Sequence, residues 1–164
     1  MARACAETGC GVVLMHSRGR PDEWGSQEQL KPDELLTVVR QGLEGILARA
    51  TAAGIEAERI VLDAGYGFGK RFEENFMLLA RQEELLGLGR PLLAGVSRKS
   101  FLGHAVAPRH EGRPAPVDAR EIASVAAMVT AILHGASIVR VHAVKPAVEG
   151  ALVVDEVLNA GGLD

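Results

Sequence analysis

Several features are scarce in this sequence, and each scarcity closes off a class of protein. No run approaches the roughly 18 consecutive apolar residues that a membrane-spanning helix requires. The first residues, Met1-Ala2-Arg3-Ala4-Cys5, contain no apolar stretch of the kind a secretory signal uses. Only two cysteines occur, Cys5 and Cys10, too few for a disulfide framework, so the expectation is free thiols and a cytoplasmic location. Four residues separate them and no further ligand is nearby, which does not make a metal site. Aromatic residues are 4% of the chain, so its core must be aliphatic. Surplus charge is missing as well: 18 Lys+Arg against 21 Asp+Glu leaves −3, which argues against a general nucleic-acid binder. Neither a GxSxG elbow nor a His-Glu-x-x-His zinc motif occurs. No linker or low-complexity stretch divides residues 1–164, and the expectation is a single domain.

What is present is a repeat of short apolar runs and amphipathic stretches, at 48% hydrophobic residues overall. Val12-Val13-Leu14-Met15 fits a strand buried on both faces. Helical periodicity follows from Asp33 to Ala53, with Leu35, Leu36, Val39, Leu43, Ile46 and Leu47 on one side, Pro32 near the start and Gly54 past the end. Ile60-Val61-Leu62 precedes Asp63 and a glycine-rich loop, then a helix over Glu73–Leu86 carrying Phe76, Leu79 and Leu86. Pro91 to Val96 reads as a third strand, Ser97 to Pro116 as a long loop, and Ala119–His134 as a helix. Ser137 to Val141 reads as a fourth strand and Val148–Asn159 as the last helix. Four βα units predict an α/β fold with a parallel sheet.

Chemistry in such sheets collects at the carboxyl ends of the strands. The four strand ends here read Met15-His16-Ser17-Arg18-Gly19, Asp63-Ala64-Gly65-Tyr66-Gly67-Phe68-Gly69-Lys70, Gly95-Val96-Ser97-Arg98-Lys99-Ser100 and Arg140-Val141-His142. His16, Arg18, Lys70, Arg98, Lys99, Arg140 and His142 would thus crowd one rim of a chain with net negative charge. This points to an anionic small ligand, a phosphate or carboxylate, against the alternative that βα loops are simply polar. Asp63 fits either an acceptor for an N–H-rich ligand edge or a loop-capping residue bonded to backbone N–H groups. The glycine loop matches neither the P-loop nor the dinucleotide fingerprint: Ala64 stands where the first P-loop glycine belongs, and Lys70 where the third fingerprint glycine belongs. His104, His110 and His134 read as surface or packing residues, and Trp24 as a hydrophobic anchor in a loop.

These four blocks, in this order and spacing, resemble the later motifs of the dihydropteroate synthase family, from about Gly11 to Leu158. The resemblance implies a TIM barrel, of which this chain would carry the four βα units of strands five to eight. A closed barrel needs at least about 200 residues, so 164 residues can form only part of one. It implies a folate-pathway transferase that joins p-aminobenzoate to hydroxymethyl-dihydropterin pyrophosphate, with Mg²⁺ assisting. By the same resemblance, Asp63 would bond the pterin's amino-pyrimidine edge, and Met15, Phe68 and Gly95 would wall the pterin. Lys99 would lie against the pterin, Ser100 would meet the p-aminobenzoate carboxylate, and Arg140 and His142 would hold the leaving anion. Lys99, Arg140 and His142 are the candidate catalytic residues. Ala64 stands where the family usually has Pro, Ala143 where it has Asp, and Ser17 where it often has an apolar residue. The Mg²⁺ ligand and part of the p-aminobenzoate site fall in the family's first half, so no metal ligand is assigned in this chain. Two alternatives accompany this reading: a non-catalytic fragment or split-enzyme partner, and a methyltetrahydrofolate-type pterin methyltransferase. Unpaired edge strands predict self-association or pairing with an N-terminal half.

Overall fold

The computed structural model describes residues 1–162. Four parallel strands, β1 (Val12–Met15), β2 (Ile60–Asp63), β3 (Leu92–Ala94) and β4 (Ala136–Val139), lie side by side in sequence order. Their carboxyl ends therefore share one rim, as the sequence predicts. The helices are α1 (Ala2–Thr8), α2 (Pro32–Ala52), α3 (Phe72–Ala80), α4 (Ser100–Ala105), α5 (Glu121–Leu133) and α6 (Val144–Gly161). Among the described residues, no helix is long and apolar enough to cross a membrane.

The two faces of the sheet differ. Leu14, Leu62, Leu92 and Ala94 alternate toward the helices and join Leu35, Val39, Leu43, Leu78, Phe101 and Met128 in one aliphatic core. The register puts Val13 and Val61 on the opposite face, with Met15, Asp63, Leu93 and Ile138. Val13 and Ile138 are 48% and 41% exposed there. The expectation that β1 is buried on both faces is thus corrected: β1 is an edge strand, and its second face is open.

One irregularity decides what reaches the open face. Leu92 pairs with Ala136 but Leu93 pairs with Ile138, so Ser137 is an extra residue in β4. Side chains alternate with period two, and one inserted residue exchanges the faces of everything after it. The bulge turns Ile138 and Arg140 toward the face of Asp63. A continuous register would have pointed Arg140 at the helices.

Several boundaries move. β3 is shorter than Pro91–Val96, and β4 begins at Ala136 and ends at Val139 rather than spanning Ser137–Val141. Ladder bonding continues past β4, through the Arg140 N–H to the Ala94 carbonyl. The loop over Ser97–Pro116 contains α4 and a short 3-10 turn at Ala107–Arg109. The helix expected over Glu73–Leu86 breaks after Ala80 and resumes as a 3-10 turn over Gln82–Leu88; Phe76 and Leu86 are 40% and 43% exposed. The helix expected from Ala119 opens as a 3-10 turn at Val117–Arg120, the last helix starts at Val144 instead of Val148, and α1 has no counterpart in the sequence reading.

Glu74, fully buried on α3, ties the long β1–α2 connection to the helix layer. One of its oxygens accepts the Leu30 N–H at 2.7 Å and the Arg18 guanidinium at 2.8 Å. The other accepts the Arg71 N–H at 2.6 Å and caps α3. Removing one partner of a buried pair strands the other charge. Glu74→Ala is expected to lose about 3–5 kcal/mol of unfolding free energy in urea titrations, and Glu74→Gln distinctly less. Equal stability of Glu74→Ala and the parent would show that Arg18 finds water instead.

Candidate active site

The rim is assembled from two crossing loops. The β1 end runs alongside the β2 end and its glycine loop in the same direction: the His16 N–H bonds the Asp63 carbonyl at 3.0 Å and the Arg18 N–H bonds the Phe68 carbonyl at 3.3 Å. Such close approach requires glycine at two places. A Cβ on Gly65 would sit 1.8 Å from the His16 carbonyl oxygen, and one on Gly69 2.0 Å from that of Arg18; both have φ near +70°.

Lys70 fastens the glycine loop from beneath. Its Nζ donates to the Gly65 carbonyl at 2.8 Å and the Phe68 carbonyl at 3.3 Å, and lies 3.1 Å from His16 Nδ1. Burial drops the Lys70 pKa to about 7, even with Asp63 and Glu74 pulling upward. Burial, reinforced by Lys70 and Arg18, drops His16 to about 4, so its ring is neutral and Nδ1 accepts. Asn75 completes the support. Its Oδ1 accepts the Gly67 N–H at 2.7 Å, and its Nδ2 donates to the Arg71 carbonyl at 2.6 Å.

Asp63 is 2% exposed at the end of β2. Oδ1 accepts the Gly65 N–H at 2.7 Å, and Oδ2 faces Arg140 Nη2 at 3.4 Å. Burial raises its pKa more than Gly65, Arg140, Lys70 and Lys99 together lower it. Met15 stands beside Asp63 in register, and its Cγ lies 3.3 Å from where a Gly65 Cβ would be. Gly95 leaves room for the Arg140 guanidinium, which passes 2.9 Å from the place a Cβ would occupy.

Lys99 Nζ lies 4.1 Å above the Phe68 ring, whose edge is met by Trp24 at 5.5 Å. Burial lowers the Lys99 pKa. His142 Nδ1 is 3.0 Å from Ser97 Oγ, which also accepts the His142 backbone N–H at 3.3 Å. Between Ser97 and Lys99, Arg98 adopts a left-handed turn with φ 57°. Ser124 Oγ accepts the Arg98 N–H at 2.8 Å, and the Arg120 guanidinium holds the Arg98 carbonyl at 3.0 Å. This turn sends Ser97 toward His142 and Lys99 toward Phe68. Ser100 is exposed at the first residue of α4.

The structure therefore brings Met15, Asp63, Phe68, Gly95, Lys99, Arg140 and His142 to one rim, with Ser100 next to Lys99. The reading of seven rim cations facing a ligand is corrected. Arg18 is neutralised by Glu74, Arg98 pairs with Glu121 at 3.1 Å, and Lys70 and His16 are buried beneath the loop. Lys99, Arg140 and His142 remain at the surface of the rim. The loop-capping reading of Asp63 is seen directly, since one oxygen accepts the Gly65 N–H, while the other faces Arg140. Sequence reasoning missed Ser97, Ser124 and Asn75. Asn75 had a signal, since it lies on the same helical face as Leu78, Leu79 and Gln82, where a polar residue needs partners.

The sequence pattern of the family described as "Pterin binding enzyme" matches residues 1–142. The chain belongs to this pterin-binding enzyme family. It is 41% identical over 157 residues to the dihydropteroate synthase of Escherichia coli strain K12, covering 96% of this chain and 52% of that protein. The crystal structure of Yersinia pestis dihydropteroate synthase with a sulfonamide drug complex superposes with a TM-score of 0.88 at 38% identity, over 97% of this chain and 55% of that one. A dihydropteroate synthase from Coxiella burnetii in complex with pteroic acid superposes at 0.84 with 31% identity, over 95% of this chain and 55% of that one. The chain spans about half the length of the curated relatives it matches. Its α/β fold with a four-stranded parallel sheet thus has TIM-barrel neighbours. For Mg²⁺ the residues here do not fit. Among the described residues no three His, Cys, Asp or Glu side chains converge, and the Asp63 oxygens are engaged by Gly65 and Arg140.

The buried His16 gives the chain a pH signature. A histidine with a folded pKa near 4 and an ordinary pKa of 6.5 binds more protons when unfolded, so stability rises with pH between those values. The expected gain is roughly 2–3 kcal/mol. Asp63, whose pKa is raised, contributes the opposite sign above pH 3.8. Comparing urea midpoints of the parent and His16→Asn across pH 4–6.5 isolates the histidine. The parent should show the steeper rise, and equal slopes would place a protonated ring in the folded state.

Proposed function

We propose that the chain carries dihydropteroate synthase chemistry, joining hydroxymethyl-dihydropterin pyrophosphate to p-aminobenzoate with release of pyrophosphate. The observation that carries this reading is the Asp63–Arg140 pair at 3.4 Å on the open face, flanked by Lys99 over Phe68. A buried acceptor beside two cations and an aromatic wall suits a flat heterocycle with an N–H-rich edge and an anionic tail. Asp63 would accept from the amino-pyrimidine edge, while Met15, Phe68 and Gly95 wall the ring. Lys99 would lie on the pterin, and Ser100 would take the p-aminobenzoate carboxylate. Arg140 and His142 would hold the pyrophosphate. The bond from the pterin methylene carbon to oxygen breaks with its electrons leaving on pyrophosphate, the arylamine nitrogen bonds that carbon, and the amine proton passes to solvent. Cations fixed at the departing oxygen stabilise the charge that develops there. The dihydropteroate synthase names of the relatives, and pteroic acid bound to the Coxiella protein, support the reading.

In this reading residues 1–164 form one pterin-binding unit, and β1–β4 correspond to barrel strands five to eight. Mg²⁺ would be held by residues outside this chain. The length match favours a second reading, in which the chain alone binds pterin or anion without turnover and serves as half of a divided enzyme.

Calorimetric titration with the pterin pyrophosphate tests the assignment. Lys99→Ala and Arg140→Ala should each weaken binding by about 1.5–3 kcal/mol with unchanged circular dichroism. Unaltered affinity in both variants would remove them from the site. Dihydropteroate formation in the presence of p-aminobenzoate and Mg²⁺, abolished by Lys99→Ala, would establish a working site. Binding without turnover would establish the half-enzyme reading.

The open face and the unpaired edges of β1 and β4 also predict self-association. Sedimentation at micromolar concentration should show species larger than a monomer, and a compact monomer would contradict this.

A further inference from the structure

His142 differs from Lys99 and Arg140 in having two neutral tautomers, in which one ring nitrogen donates and the other accepts. It lies between β4 and α6 with its side chain exposed, and Nε2 has no hydrogen-bond partner among the described residues. Nδ1 faces Ser97, which is 5% exposed. A serine hydroxyl has one hydrogen to donate and two lone pairs to offer. The His142 backbone N–H takes one lone pair of Ser97 Oγ at 3.3 Å. For the hydroxyl hydrogen, the one acceptor among the described residues is His142 Nδ1 at 3.0 Å. If Nδ1 carried the hydrogen of the neutral ring, Oγ would accept twice, and its own hydrogen would be left buried without an acceptor. The backbone beneath the hydroxyl is fixed, because Ser97 precedes the left-handed Arg98, whose N–H and carbonyl are held by Ser124 and Arg120. The residue after His142 is Ala143, which brings no competing polar side chain.

We infer that Ser97 is a positioning residue that holds neutral His142 as the tautomer with its hydrogen on Nε2, so that the ring donates to an anionic group without carrying charge. The inference rests on the reading in which His142 and Arg140 hold the pyrophosphate, and it gives the two residues different tasks. Arg140 supplies positive charge. His142 supplies one directed N–H. With Nδ1 engaged by the Ser97 hydroxyl and a hydrogen on Nε2, the neutral ring has no free lone pair. It therefore cannot take the arylamine proton, which goes to solvent. His142 is a hydrogen-bond donor at the departing oxygen and not a general base. Only a hydroxyl at position 97 serves both the ring and the His142 backbone N–H: alanine removes donor and acceptor together, and threonine keeps them.

The test reads the histidine ring nitrogens of the ¹⁵N-labelled 164-residue chain by long-range proton–nitrogen NMR, with the rings neutral at about pH 8.5. His142→Gln identifies the signals by their loss. The parent ring should be a single tautomer with its hydrogen on Nε2. In Ser97→Ala the two nitrogen signals should move toward each other as the tautomers mix, and in Ser97→Thr they should stay at the parent positions. A parent ring with its hydrogen on Nδ1 would overturn the inference even if Ser97→Ala failed to fold, and so would signals unchanged in a folded Ser97→Ala. Inorganic pyrophosphate then probes the anion site. It should shift the parent Nε2 signal, and Ser97→Ala should bind it about two- to tenfold more weakly. Equal affinity in Ser97→Ala would remove Ser97 from any positioning role. A parent with the expected tautomer whose Nε2 signal ignores pyrophosphate would instead overturn the reading of His142 as an anion ligand, so the two failures are told apart.

Discussion

Asp63 is 2% exposed, and an ionised carboxylate at that depth is sustained only where N–H groups and cations answer it. The sheet supplies one answer locally, the Gly65 N–H, and recruits the other from two strands away, the Arg140 guanidinium. Each answer imposes its own condition. The Gly65 N–H turns back to its own strand end only because residue 65 takes positive φ and carries no Cβ to strike His16. Arg140 reaches Asp63 only across Gly95, where any side chain would stand in its path. Even so, burial wins and the carboxyl pKa stays raised. That shift suits the ligand-binding role proposed for Asp63.

Two small backbone departures do most of the remaining positioning. The extra residue Ser137 exchanges the faces of β4, which sets Arg140 beside Asp63 instead of among the aliphatic side chains of α5 and α6. The left-handed Arg98 does the same for the loop after β3. A non-glycine residue there is costly, and Ser124, Arg120 and Glu121 from the α5 segment hold it. Helix α5 thus reaches the rim through the backbone of residue 98, without presenting a side chain to it.

The fold class was legible because apolar runs alternate with helical periodicity, and β1 and β2 lie where Val12–Met15 and Ile60–Asp63 place them. Strand ends at β3 and β4 were less so. There the ladder continues past the last residue of β4, and no apolar pattern records a bulge. The composition of the site was legible too, since strand ends concentrate polar residues. Which cations face outward was not. Arg18 and Lys99 look alike in sequence, and only the tertiary position of Glu74, 56 residues from Arg18, separates a neutralised side chain from an available one. The supporting polar groups, Asn75 and Ser124, sit on helices whose apolar face announced packing.

The division among the cations follows from the glycines. A loop with positive φ at Gly65, Gly67 and Gly69 approaches its neighbours closely but has few side chains with which to hold itself. The Phe68 N–H meets the Gly65 carbonyl from within the loop, and the Arg18 N–H meets the Phe68 carbonyl from the β1 side. Lys70 reaches both carbonyls as well, and burying it there costs much of its charge. His16 can sit beside that ammonium only as a neutral acceptor, and the space for its ring exists because residue 42 on α2 is glycine: a Cβ there would lie 2.4 Å from the imidazole. Lys70, His16 and Arg18 therefore build the loop, and building it fixes Phe68 under Lys99. The rim side chains left for the proposed ligand are Lys99, Arg140 and His142, beside Asp63.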